Sequence, residues 1–170
     1  YKLMMGLSLG ATSDGAINAY LRPETATTTY TNFKNILDAK PHKLPFGIVQ
    51  IGKAFRNEIS PRGFVFRMRE FEQAELQYFV NPSEDEKYFD MWKELRMSWW
   101  INTLGVPASK LRFMPHEKLA HYAKAAVDIE YEFPDGFDEV EGIHNRQDFD
   151  LGSHTKAQSE YKINATVIEN

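Results

Sequence analysis

The sequence of 170 residues contains no cysteine. Disulfides and thiolate metal sites are therefore excluded. The lack of cysteine suits a reducing compartment, and the expected location is the cytoplasm. Long hydrophobic runs are missing too: nothing approaches the roughly 20 apolar residues that a membrane-crossing helix requires. No secretory signal pattern opens the chain, and no membrane partner is expected. A cationic excess is also lacking, since 20 Lys and Arg stand against 24 Asp and Glu, a net charge of −4. A domain that grips nucleic acid broadly through its phosphates is basic, so any RNA contact is expected to be local or made by residues outside this sequence. There are no internal repeats or low-complexity tracts. The chain opens on Tyr1 rather than Met and closes on Ile168-Glu169-Asn170 without a cap, which reads as a segment of something longer.

What is present is an ordinary globular composition, 42% apolar and 26% charged, with length enough for one hydrophobic core. The stretch from Leu44 to Val80 organises the rest. Its Ile, Val and Phe content predicts a strand from about Phe46 to Glu58 and a second from about Val65 to Val80. Ser60-Pro61-Arg62-Gly63 between them has the chemistry of a tight turn. Alternation along the second strand puts Arg67, Arg69, Phe71, Gln73, Glu75 and Gln77 on one face. Phe66, Met68, Glu70, Glu72, Ala74, Leu76 and Tyr78 fall on the other. The first face is a poor core. It suits a floor for a charged ligand with a flat ring, or else a solvated outer face.

Around this hairpin the signals are simpler. Leu3, Met4, Met5, Leu7 and Leu9 suggest a buried strand over Tyr1–Leu9, Gly10–Gly15 a loop, and Ala19-Tyr20-Leu21 a short extended piece. Arg22-Pro23-Glu24-Thr25 follows: Pro pushes Arg22 towards β and favours a helix start, and Tyr30, Phe33, Ile36 and Leu37 have helical spacing. Glu24 thus stands where a strand hands over to a helix N-terminus, suited to the helix dipole. Asp38–Leu44, with Pro41, is a polar connection. After Asn81-Pro82, Ser83 and Glu86 have the spacing of a capping box. Tyr88, Trp92, Leu95 and Trp99 then mark a core-facing stripe on a helix that stops near Gly105 and Pro107. Leu119–Ala126 reads as a short helix or a turn. His121 in it is a base, a ligand or a structural ring, with no partner spacing for a metal. Val127, Ile129, Tyr131 and Phe133 form the apolar face of a strand. Pro134-Asp135-Gly136 turns, and Phe137–Ile143 returns with Glu139 and Glu141 on one face opposite Val140. His144–Leu151, dense in charge, reads as a loop, solvated or ligand-reading.

Phe55-Arg56-Asn57-Glu58, a loop, then Arg67 and Phe71 four residues apart resembles the second signature motif of class II aminoacyl-tRNA synthetases. The longer wording FRNEISPRGFVFRMREFEQAE resembles glycyl-tRNA synthetases of the dimeric type. LRPETA, AHYAKAAVDIEY and EGIHNRQDFDLGSH follow the order of that family, so the likeness covers most of the chain. It implies an α+β fold, an antiparallel β-sheet flanked by helices as in class II catalytic domains. Residues 1–170 would then be part of one catalytic domain, with the second motif at about 54–75. The first and third motifs are not found in the sequence. Thr27-Thr28-Thr29 stands where the family commonly has Gln-Gly after RPETA.

The implied reaction is ATP-driven activation of glycine to glycyl-adenylate, then transfer to the 3′ end of tRNA. The implied partners are glycine, the tRNA acceptor end and a second copy in a homodimer, with ATP and Mg²⁺ as cofactors. Arg56 would be the catalytic cation, holding the α-phosphate where negative charge builds. ATP would also be met by Asn57, Glu58, Phe66, Arg67, Met68, Arg69, Glu70, Phe71, Glu139 and Val140, with Phe71 stacked on adenine and Glu139 at the Mg²⁺ that accompanies ATP. Glycine would be met by Glu24, Phe71, Glu72, Gln73, Ala74, Glu75 and Arg146, acids at its ammonium and the arginine at its carboxylate. No general base is needed, because the attacking carboxylate is already ionised. The resemblance predicts that Arg56, Phe71, Glu75 and Arg146 line one cavity. The alternative is a non-catalytic synthetase-like module that binds the same ligands as a sensor, and a blander one is an α+β scaffold with a wet sheet face.

Overall fold

The computed structural model describes residues 2–12, 15–40 and 42–161, with side chains of the last helix to residue 157. Tyr1, Ser13, Asp14, Pro41 and the segment after Tyr161 lie outside the described residues. So do the start of the expected Tyr1–Leu9 strand, the middle of the Gly10–Gly15 loop, and the chain's closing residues. The described elements are α+β, with antiparallel sheets and three helices. They fall into two compact units that divide between Phe79 and Val80.

The first unit opens with a hairpin of β1 (Gly6–Leu9) and β2 (Ile17–Tyr20). β1 is shorter than the apolar content suggests and is largely exposed, not buried. The chain then enters α1 (Ala26–Ala39), which buries Ala26, Thr29, Tyr30 and Phe33, so the spacing of Tyr30 and Phe33 reads correctly. β3 (Phe46–Phe55) and β4 (Glu70–Phe79) pair antiparallel over their whole length. They are shorter than predicted, because residues 56–69 form a long loop instead of a tight turn. Pairing persists only through the Arg56 amide to Arg69 oxygen bond and an Arg62–Arg67 bridge. The apex is where Pro61 and Gly63 indicate, with Gly63 at φ +67 and Phe64 at φ +53. Phe66, Arg67, Met68 and Arg69 therefore belong to the loop and are not part of a strand face.

Register puts Phe46, Ile48, Gln50, Gly52 and Ala54 on the same face as Phe71, Gln73, Glu75, Gln77 and Phe79. This is the more buried face, and α1 lies on it. At one end Phe33, Phe46 and Phe79 stack with ring centroids 4.6–6.1 Å apart. Phe33 is the buried ring of the three, and full burial of such a ring contributes roughly 1.5–3 kcal/mol. The middle of the face is polar and is satisfied by helix side chains. The opposite face carries Val49, Ile51, Ala74 and Leu76, all exposed.

The second unit begins with a short 3₁₀ turn, Pro82–Glu84, leading into α2 (Asp85–Ser98). The expected Ser83–Glu86 capping box does not form. The Asn81 carboxamide oxygen instead accepts from the Ser83 amide at 3.1 Å and its hydroxyl at 2.8 Å, and the Asp85 carboxylate accepts from the Glu86 amide. α2 continues as a wider π-type turn, Trp99–Thr103, before Gly105 at φ +72 ends it. β5 (Leu111–Pro115), β6 (Ala125–Phe133) and β7 (Gly136–Asn145) form one antiparallel sheet. The Leu119–Ala126 stretch is a turn running into β6, closed by the Ala123 amide on the Ala120 oxygen. Val127, Ile129, Leu111 and Ala126 supply the buried residues here. After residues 146–148, α3 (Phe149–Tyr161) forms where a loop is expected through Leu151.

β7 departs from simple alternation. Glu141 pairs with Ile129 and Glu139 with Glu130, leaving Val140 as a bulged extra residue. Cross-strand partners share a face. Glu139 therefore lies on the polar face of the sheet and Glu141 on the apolar one, and the expectation that both acids share a face is overturned by the bulge.

Candidate active site

The polar run along the hidden face of the β3–β4 hairpin is a graded series. Nearest the aromatic cluster, the Tyr30 hydroxyl donates to Gln77 Oε1 at 2.7 Å. Next, the hydroxyls of Thr28 and Thr29 donate to Gln50 Oε1 at 2.8 and 3.2 Å. Thr28 and Thr29 are weak helix formers, but here both seal the same sheet amide, Gln50, under the helix. Glu75 comes next. Its Oε1 accepts from the Thr25 amide at 3.1 Å and the Thr25 hydroxyl at 2.9 Å, and its Oε2 from Gln77 Nε2 at 3.1 Å. Gln73 Oε1 also reaches the Thr25 amide at 3.1 Å. The acid at the N-terminus of α1 is thus Glu75, from across the sheet. No acid occupies the first helical turn itself, and Glu24 stands half-buried just before the N-cap residue Thr25. The strand-to-helix handover at Glu24 is as expected.

Towards the loop end the face becomes cationic. Arg22 lays its guanidinium over Gly52: Nε donates to the Lys53 carbonyl at 2.7 Å and Nη1 to Thr28 at 3.3 Å. A Cβ at position 52 would collide with Nη2 of that guanidinium, so glycine is what lets the arginine cross the sheet. Arg56 follows, with its guanidinium carbon 5.2 Å from the Phe71 ring centroid and Nε donating to the Pro23 carbonyl at 3.2 Å. Arg56, Phe71, Gln73 and Glu75 therefore share one face, in that order from loop to core. Asn57 is tied by its amide to the Leu3 carbonyl at 2.7 Å, and the Glu58 carbonyl accepts from Arg69 Nε at 3.0 Å. Arg67 is exposed in the loop, Phe66 is exposed beside it, and Met68 is half-buried. Glu70, Glu72 and Ala74 occupy the opposite, outward face, where Glu70 pairs with Lys53. Sequence reasoning missed Arg22 and Thr25. The Arg-Pro-Glu-Thr wording holds both, but only the register reveals what they touch.

In the second unit, Arg146 forms a bidentate pair with Asp150 at 2.8 and 3.0 Å and stacks 4.0 Å from the centroid of Tyr122. Asp150 lies one turn along on the same backbone, at the start of α3. His121 sits against Tyr122 and Phe149 with centroids 5.4 and 5.0 Å away, the structural alternative of the readings open for it. Glu139 is exposed and the bulged Val140 half-buried. Glu141 is held by Arg96 at 2.5 and 3.1 Å and by the Trp100 indole N–H at 2.7 Å. The helix aromatics thus do more than fill a core: Trp100 donates a hydrogen bond to the sheet, and Leu95, on the expected stripe, is exposed. Asp85 joins the start of α2 to the end of β7. Hydrogen bonds from Asn145 and then Lys124 hold its carboxyl below the ordinary carboxylate range. Glu86 and Asp85 together raise Lys124.

A stacked arginine at the mouth of a hairpin face, with an amide and an acid deeper along it, fits the class II synthetase setting that the motif wording suggests. The family model of the tRNA synthetase class II core domain (G, H, P, S and T) matches residues 10–167, and the chain belongs to that family. Among curated proteins it is 56% identical over 172 residues to the glycine–tRNA ligase of Thermus thermophilus, covering 100% of this chain and 34% of that protein. It is 50% identical over 173 residues to the enzyme of that name from Deinococcus radiodurans, again 100% of this chain and 34% of the other. With its Chlorobaculum tepidum counterpart the identity is 53% over 156 residues, 92% of this chain and 33% of that protein. The chain spans about a third of the length of these relatives. Among the described residues no helix is long and apolar enough to cross a membrane.

Proposed function

We propose that residues 1–170 are part of the catalytic domain of a glycine–tRNA ligase, and that the full-length protein activates glycine with ATP and passes it to the 3′ end of tRNA in the cytoplasm, as a homodimer. The observation that carries this reading is the ordered face Arg56–Phe71–Gln73–Glu75, supported by 50–56% identity to ligases of that name along the whole chain.

Arg56 would hold the α-phosphate of ATP. Its guanidinium is oriented by the Pro23 carbonyl and by Phe71, so a fork of N–H donors is already fixed where charge develops. Phe71 offers a flat surface to adenine. Asn57, Glu58 and the loop from Phe66 to Glu70 would complete the nucleotide contacts, and the family resemblance assigns Glu139 and Val140 to ATP as well. Mg²⁺, when bound with ATP, would screen the phosphate charges, and the exposed oxygen ligands of Glu139 suit it. Glu75, with Glu24, would take the glycine ammonium; Phe71, Glu72, Gln73 and Ala74 belong to the same stretch. Thr25 and Gln77 fix the Glu75 carboxylate, so it meets the ammonium without reorganising. Arg146 would take the glycine carboxylate, its guanidinium plane set by Asp150 and Tyr122. Catalysis is then positioning and charge stabilisation.

The test is glycine-dependent ATP–pyrophosphate exchange by the full-length protein. Exchange that falls steeply in Arg56→Ala is the expected result. Absence of exchange in the wild-type protein would remove the ligase reading. Exchange lost but adenylate-mimic binding retained, in the wild-type protein, would favour the sensor module.

A further inference from the structure

The polar face of the three-stranded sheet carries a second constellation, His116, Asp128 and His144, with which the proposed function shares only the neighbouring Glu139. Register aligns His116, Ala126 and His144 across the three strands, and Met114, Asp128 and Gly142 in the next row. One donor atom each from His116, Asp128 and His144 lies within 4.8 Å of the other two. His116 Nε2 is 2.7 Å from Asp128 Oδ2. The other oxygen, Asp128 Oδ1, is buried without a hydrogen-bond partner, an unfavourable arrangement unless a ligand compensates it. Glycine at position 142 lets these groups approach one another across the sheet. A Cβ at Gly142 would stand 3.0 Å from His144 Nε2, 3.3 Å from Glu139 Oε1 and 3.4 Å from Asp128 Oδ1, so these atoms converge over the glycine.

The geometry points to a divalent transition-metal site, with zinc as the ion that fits best, held by His116, Asp128 and His144 and rimmed by Glu139. Two imidazoles and one carboxylate are a nitrogen-rich donor set that Mg²⁺ disfavours and zinc accepts. Ligands at ~2.0–2.1 Å in a tetrahedron stand about 3.3 Å apart. The His116–Asp128 pair needs to open only slightly, and His144, the exposed member, closes on the ion by side-chain rotation. The orphaned Oδ1 then gains a partner. This site goes beyond the ligase reading and does not depend on it.

The test uses full-length protein stripped by a chelator and titrated with Zn²⁺ against a chromophoric chelator, with millimolar Mg²⁺ present and ATP omitted. The expected result is one tight equivalent that His144→Ala weakens by at least about 10–100-fold, as loss of a ligand does no less than loss of an outer partner. His144→Ala leaves the His116–Asp128 pair intact, and a circular-dichroism spectrum like wild type shows that the fold survives. Gly142→Ala, which pushes a methyl against the donor atoms without removing a ligand, is expected to weaken binding in the same assay. Co²⁺ in place of Zn²⁺ is expected to give a d–d spectrum of nitrogen and oxygen ligation that disappears in His144→Ala. Zinc affinity unchanged in His144→Ala and Gly142→Ala, or no Zn²⁺ retained against Mg²⁺, overturns the proposal and leaves His116–Asp128 as an ion pair between strands.

Discussion

Thr25 gives both its amide and its hydroxyl to one oxygen of Glu75, so a buried threonine sets the direction of the acid proposed to read glycine. Hydrogen bonds to charged groups are worth roughly 1.5–3 kcal/mol, and each 1.4 kcal/mol is about tenfold in affinity. Thr25→Val keeps the shape and removes the hydroxyl donor. It is expected to raise KM for glycine by about tenfold while leaving KM for ATP near its wild-type value, read from exchange assays in which each substrate is varied in turn. An equal rise for both substrates would place Thr25 in general helix support instead. Glu141 is the opposite kind of acid, consumed by structure. Glu141→Ala strands the Arg96 guanidinium and the Trp100 indole, half-buried groups whose abandonment costs about 2–4 kcal/mol. Denaturant unfolding is expected to show that loss with no change in the slope. The motif wording made Arg56 legible, and alternation along β4 placed Phe71 and Glu75 together. Arg22 and Thr25 were not legible, since their contacts lie 31 and 50 residues away in sequence.

At the scale of elements, the N-terminus of α2 is fastened to β7 through Asp85, which accepts from Lys124 and Asn145 at 2.9 and 3.0 Å. Because the folded-state value of Asp85 is depressed, its contribution is fully present above the unfolded value of about 3.9 and fades as the pH falls through the lower folded value. The difference in melting temperature between wild type and Asp85→Asn is therefore expected to be constant above about pH 5 and to close as acid is added below about pH 4. A gap that widened in acid would contradict the assignment. Element type was readable wherever a period was clean: Tyr30 and Phe33 for α1, Val127 and Ile129 for β6. It failed in two ways. α3 has Gly152, Ser153 and Thr155 in its first turns and no apolar stripe, so nothing in the string separates it from a loop. The ends of β3 and β4 were overrun because Ile59, Val65 and Phe66 have strand-like side chains, yet the backbone there leaves the ladder and these residues stay exposed. The His116–Asp128–His144 cluster was hidden for a related reason: its members come from β6, β7 and the residue that follows β5.

For the whole chain, the outward face of the β3–β4 hairpin matters most. Val49 is 61% exposed and Ile51 73%, with Leu76 beside them. Contiguous apolar surface on a sheet favours association. The 170-residue chain expressed alone is expected to bind a hydrophobic dye and to sediment as mixed oligomers, and Val49→Thr with Ile51→Lys to reduce both. A monodisperse wild-type segment that ignores the dye would show that this face is not adhesive.

The surplus residue in β7 bears on how Val140 is best studied. It already resets the alternation, so removing it would leave Glu139 and Glu141 pointing where they do now, on a straighter and less twisted strand. Replacing the side chain and shortening the backbone at that point thus ask separate questions. The first concerns what Val140 touches; the second asks how much coiling the ribbon needs.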